Sequence, residues 1–141
     1  MMALNSGQCA VNTATLGFQC PIEQSIDAIA AAGFGGIAPW RREVEGQDVP
    51  VIAKRIRDAG LKVTGYCRST YLSSPTRGGL LANIESNRRA LEDAAILGAQ
   101  SLVMVVGGLP AGSKDIAGAR SQAADGVAQL LEHGKRLGVK I

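Results

Sequence analysis

The stretch Ile96-Leu97-Gly98-Ala99-Gln100-Ser101-Leu102-Val103-Met104-Val105-Val106-Gly107-Gly108 decides the architecture of this chain. It reads as the end of a helix, a glycine stop, a short connector, and a run that is apolar at every position. Glycine just past a helix is the common left-handed cap, because without a Cβ it adopts that conformation at little steric cost. The unbroken run Leu102 to Val106 fits a strand covered on both faces, as in a parallel sheet. The same order recurs three times: Ala30-Ala31-Ala32-Gly33 leads to Ile37-Ala38, Asp58-Ala59-Gly60 to Leu61-Lys62-Val63, and Arg136-Leu137-Gly138 to Val139-Lys140-Ile141. A repeat of this kind dictates the fold.

The segments between these stops carry helical signals. Pro21 suits a first helical position, and Ile22, Ile26, Ile29 and Ala30 follow at helical spacing. Asp48 is the cap candidate before Val51, Ile52, Ile56 and Ala59. Leu80, Ile84, Leu91 and Ala95 stripe a third helix. Ser113, with Asp115 in the first turn, opens a fourth whose apolar side is Ile116, Ala123, Val127, Leu130, Leu131 and Leu137. Strands are predicted at 9–15, 35–40, 62–67 and 101–106, with a fifth beginning at Val139. Uninterrupted alternation of strand and helix means α/β with right-handed crossovers and parallel strands. A complete eightfold barrel needs about 250 residues, so four βα units plus the start of strand five read as half of one.

Composition agrees and excludes other classes. The 141 residues are 46% hydrophobic, 19% charged and 4% aromatic, which argues against disorder and allows a sizeable core. No apolar run approaches the ~18 residues of a membrane span. Residues 1–8 lack both a basic region and an apolar run, so a cytoplasmic location is expected. Cys9, Cys20 and Cys67 are odd in number without CxxC spacing, and His133 is the one histidine, so neither a disulfide framework nor a Cys/His zinc site fits. Net charge is +3, with two Tyr, two Phe and one Trp; dispersed arginines with so few stacking rings do not make a nucleic-acid surface.

Sites in alternating α/β folds form at the carboxyl ends of the strands. That rule selects 12–15, 40–42, 66–69 and 106–108. Arg41 and Arg68 could clamp a phosphate or carboxylate, or pair with Glu43 and Glu45. Asn12, in an otherwise apolar strand, needs partners from a ligand or from a neighbouring loop. Trp40 is either a wall for a ligand or the lid of the core. Tyr66 and Cys67, being adjacent in a strand, point to opposite faces. The turn-rich stretch 71–79 is either a lid carrying Arg77 inward or a surface excursion. The segment 107–114 resembles a phosphate loop, but Ser113-Lys114 reverses the required order and Pro110 removes an amide donor. No carboxylate pair is placed at two strand ends for acid/base work, and His133 is expected to face solvent.

The segments Val11-Asn12-Thr13-Ala14-Thr15, Ala32-Gly33-Phe34-Gly35-Gly36-Ile37-Ala38-Pro39-Trp40-Arg41 and Leu97-Gly98-Ala99-Gln100-Ser101-Leu102-Val103, in this order and spacing, resemble the N-terminal half of the sugar phosphate isomerases/epimerases, the xylose isomerase-like TIM barrels. The resemblance runs from about Cys9 to Ile141 and makes 1–141 a single domain. It implies a metal-dependent isomerase or epimerase of a sugar or sugar phosphate, or an inosose dehydratase-like lyase. A divalent metal (Mn, Mg or Zn) would polarise adjacent carbonyl and hydroxyl oxygens. Family metal ligands come from strands five to eight, so none is expected to bind this chain alone, which would be inactive by itself. Arg68-Ser69 and Gly107-Gly108 stand where nuclease-like members carry histidines. By position, Asn12, Trp40, Arg41 and Arg68 would line the substrate side. The other expectation is a free-standing (βα)4 module that self-associates through open sheet edges, or aggregates through them.

Overall fold

In the computed structural model, which describes residues 4–141, strands β1 (Ala10–Asn12), β2 (Gly36–Ala38), β3 (Lys62–Val63), β4 (Tyr66–Cys67) and β5 (Leu102–Val103) alternate with helices. These are α1 (Ile22–Ala31), α2 (Arg41–Val44), α3 (Val49–Asp58), α4 (Arg77–Leu97) and α5 (Ile116–Leu137). Every strand pairing is parallel. β3 and β4 lie on one line of chain, and Thr64-Gly65 hands the pairing over: Thr64 N donates to Ile37 O at 3.0 Å, Tyr66 N to Ser101 O at 2.8 Å. A parallel bridge between Ser101 and Lys140 marks the start of the next strand. Spatial order thus follows chain order, and the chain builds about half of a βα barrel.

The four glycine stops are left-handed, with φ of +78° at Gly33, +75° at Gly60, +70° at Gly98 and +72° at Gly138. Each turns the chain sharply enough to send a helix end into the next strand. Val11, Ile37 and Val63 share one row across β1 to β3 and join Ile22, Ile26, Ile29, Ile52 and Ile56 in the core under the helices. Tyr66 and Leu102 do the same beneath α4 and α5, with Leu91 and Leu130. The alternate positions face the barrel axis: Ala10 and Gly36, then Asn12 and Ala38, and Cys67 and Val103. Gly36 has to be small, because a Cβ there would lie 2.9 Å from the Ala10 Cβ and 3.1 Å from Thr64 Cγ2.

Several boundaries differ from the sequence expectation. Strand 9–15 shortens to β1 because the Asn12 side chain accepts from Ala14 N at 3.1 Å and turns residues Thr13–Leu16 into a 3-10 helix. The run 101–106 is a strand only at Leu102–Val103, and it is not covered on both faces: Val103 and Val105 are 43% and 37% exposed. They point to the axis, where this half of a barrel has no opposite wall. The last helix starts at Ile116, capped by Asp115, whose Oδ1 accepts from Gly118 N at 2.8 Å; Ser113 instead accepts from Asp115 N. Ile116 and Leu131, expected on the packed side, are exposed. His133 does not face solvent: its side chain is 18% exposed, with Nε2 3.4 Å from Glu92 Oε1 on α4. The short helix α2 was not anticipated.

Candidate active site

The strand ends bring a small polar row to the axial side. Asn12 Oδ1 accepts from both Ala14 N and Trp40 Nε1, the latter at 2.6 Å, while its Nδ2 donates weakly to Cys67 Sγ at 3.8 Å. An amide nitrogen has two donors, so one remains for a ligand. Trp40, half-buried, spends its only polar atom on Asn12 and presents an apolar ring, against which Phe18 packs edge-on with centroids 5.6 Å apart. Thr13 is fully buried beneath, donating to the Glu43 carboxylate and accepting from Trp40 N at 3.1 Å. These bonds set the entry of α2 at the end of β2. Burial pushes the Cys67 thiol above its ordinary pKa, partly offset by the hydrogen bond from Asn12. The neutral thiol is held at neutral pH.

Beside this row, between the loops following β2 and β4, lies a cavity of about 600 Å³. Trp40, Arg41, Arg42, Glu45, Arg68 and Tyr71 form much of its wall. Arg68 to Tyr71 and Ser73 form its far side, and the stretch 68–76 that carries them is stapled in place. Asn87, fully buried on α4, accepts from Thr70 N at 2.7 Å and donates to Thr70 O at 2.8 Å. Gln122 of α5 does the same for Ser74, at 3.0 and 3.2 Å. Leu72 is fully buried between them. The Ser69 hydroxyl accepts from Val105 N and donates to Val105 O. The Cys67-Arg68 peptide is cis.

Of the residues selected from sequence, Asn12 and Trp40 bond directly, and Trp40, Arg41 and Arg68 border one cavity. Arg41 and Arg68 differ in role. The Arg41 side chain is 8% exposed, ion-paired to Glu45 at 2.6 Å and bonded to Thr70 and Ser86. Arg68 is exposed and stacks on Tyr71. Arg77 opens α4 on the surface and does not border the cavity. The contributions of Arg42 and Phe18 were not legible, since a four-residue helix offers no periodicity to show which arginine turns inward. Among the described residues no three His, Cys, Asp or Glu side chains converge as a metal site. The axial row offers an amide and a neutral thiol, so this chain alone does not fit the divalent metal that the resemblance implies. No described helix is long and apolar enough to cross a membrane.

Comparison with known proteins supplies the lineage. A comparison with curated proteins found no match. The crystal structure of a Sinorhizobium meliloti 1021 protein superposes with a TM-score of 0.87 at 40% identity, over 92% of this chain and 47% of that one. D-psicose 3-epimerase from Clostridium cellulolyticum H10, solved with D-tagatose, gives 0.78 at 14% identity, over 92% of this chain and 49% of the enzyme. The IolI protein with a bound zinc atom gives 0.77 at 16%, over 94% and 49%. The last two, at such identities, show the fold alone, and this chain spans about half the length of each relative. The family model for the xylose isomerase-like TIM barrel matches residues 26–141. With its parallel wall, its glycine-stopped repeats and this match, the chain belongs to the xylose isomerase-like TIM barrel family and builds about half of such a barrel.

Proposed function

We propose that this chain is the substrate-side half of a sugar isomerase or epimerase, inactive by itself, with Asn12 and Trp40 as the residues that receive the sugar. The observation that carries this reading is the Asn12–Trp40 hydrogen bond at the ends of β1 and β2. It leaves one amide donor for a carbonyl or hydroxyl oxygen beside a half-buried indole ring that can meet the C–H side of a sugar ring or chain, the usual mix of an apolar wall with a few placed polar groups. Arg41 acts from beneath by tying α2 to Thr70 and to Ser86 of α4, and Arg68 from the opposite loop. D-psicose 3-epimerase among the structural relatives favours a ketose over an acyl or nucleotide substrate. A divalent metal belongs to the reading at the level of the whole barrel, with its carboxylates and histidine supplied by strands beyond this segment.

Trp40 is the single tryptophan, so its emission reports directly on this site. A ketohexose titration is expected to give a saturable change in that emission, and Asn12→Ala to weaken it about tenfold through loss of the amide bonds. Isomerase or epimerase turnover should be absent for the chain alone and present when the remaining strands are joined to it. Sugar binding unchanged in Asn12→Ala would overturn the assignment.

A further inference from the structure

Among the described residues Phe18 is the one other than glycine that holds a positive φ, +55°. Gly17 before it is also left-handed, at +73°, and the two reverse the chain between the 3-10 helix Thr13–Leu16 and α1. For a bulky side chain this backbone is costly, because the Cβ crowds the following carbonyl oxygen. Strain of this kind persists only where other contacts hold it. Among the described residues neither the Phe18 N–H nor its carbonyl oxygen makes a backbone hydrogen bond, so the holding falls to the ring. Gly17 and Gln19 on either side are exposed, whereas Phe18 is half-buried. Its ring meets Trp40 edge-on, with centroids 5.6 Å apart and planes at 63°, and carries the Arg42 guanidinium 4.2 Å from its centroid. Part of the Trp40 indole is thereby covered by an aromatic ring of the chain itself.

We propose that Phe18 is an intramolecular competitor for the sugar: its ring rests on Trp40 until the sugar takes that place, and then swings away on the Gly17-Phe18 turn. The inference rests on the sugar-binding reading of Asn12 and Trp40. Two opposing effects make this latch easy to move. The ring gains from its contacts with Trp40 and Arg42, while the backbone gains by leaving the left-handed region. Closed and open arrangements are then close enough in free energy for a ligand to shift between them. A sugar binds only the fraction of molecules in which the ring is off, so the latch lowers apparent affinity. It also selects, because a ligand has to offer the indole a C–H surface as good as the phenyl edge while the Asn12 amide holds its oxygen. A fixed aromatic wall would act in the opposite sense, adding a contact to the sugar.

Acrylamide quenching of Trp40 emission in the sugar-free protein reads the cover directly. Phe18→Ala and Phe18→Gly should both be quenched more strongly than the parent, and Leu16→Ala in the preceding turn should not. Phe18→Gly suits the left-handed backbone and so keeps the turn where Phe18→Ala alters it. D-fructose, titrated against Trp40 emission, should bind both Phe18 variants about threefold tighter than the parent. Arg42→Gln, which releases the ring from its second contact, should move both measurements in the same direction by a smaller factor. Quenching unchanged in both Phe18 variants, or D-fructose binding that they leave unchanged or weaken, would overturn the latch while leaving the sugar reading in place. No saturable D-fructose response in any of these proteins removes the sugar reading, and the competition with it.

Discussion

Tyr66 is fully buried in β4, and its hydroxyl has no hydrogen-bond partner. An unpaired buried hydroxyl is a cost rather than a gain, so Tyr66→Phe is expected to leave stability unchanged or raise it by about 1 kcal/mol in urea unfolding. Tyr66→Ala, which empties the same place under α4, should lose about 3 to 5 kcal/mol. Asp93 on α4 makes a pH-dependent case. Burial raises its pKa above the ordinary 3.8, against the opposing attraction of Arg41. A carboxyl raised in the folded state stabilises the fold most fully below its unfolded value, and that contribution is lost as pH rises through the folded value. Asp93→Asn should therefore melt higher than the parent protein at neutral pH, and the difference should shrink as pH falls toward 4; thermal melts across that range check it. Asn12 was legible as a residue out of place in an apolar strand. Its partner Trp40 was legible only as an aromatic near a strand end, because Asn12 and Trp40 are 28 positions apart and meet only through the β1–β2 register.

At the scale of elements, start and stop signals differed in how well they could be read. The four stops each had one glycine in the right place. The starts of α4 and α5 follow connectors holding several side chains that can cap, Ser73, Ser74 and Thr76 before one and Ser113 and Asp115 before the other. Only the amide that each oxygen reaches, Gly79 N for Thr76 and Gly118 N for Asp115, decides between them. Asp115→Ala should cost about 1 kcal/mol, and Ser113→Ala less, in chemical unfolding. Gly98→Ala, at φ +70°, should cost about 1 to 2 kcal/mol for the left-handed backbone. The staples from Asn87 and Gln122 carry no local signal at all. Each is a mid-helix amide whose purpose appears only when a loop from another unit lies against it.

For the whole molecule, the axial face is the feature with the largest consequence. Val103 and Val105 project from it without cover, and Val106 beside them is also exposed. Contiguous apolar surface of this kind invites association. The chain alone is expected to self-associate, and the double variant Val103→Lys, Val105→Lys to lower its solution mass in sedimentation velocity without lowering its melting temperature, since neither side chain is buried. A parent chain that stays monomeric at every concentration would contradict this.

Local chemistry was sufficient for the order of strands and helices, for the parallel class and for the glycine stops, because each depends on residues within a few positions of one another. Asn12 and the arginine-bearing loops were also selected by the rule that sites gather at strand ends. Tertiary structure alone decided how those arginines divide: Arg41 is buried against Glu45, Thr70 and Ser86, whereas Arg42 and Arg68 stack on Phe18 and Tyr71 with their charge unpaired. It also decided that the most apolar run, Leu102 to Val106, buries Leu102 and half-buries Met104 but leaves Val103, Val105 and Val106 exposed. Hydrophobicity records what a strand can bury, while the partner that buries it is set by the rest of the barrel.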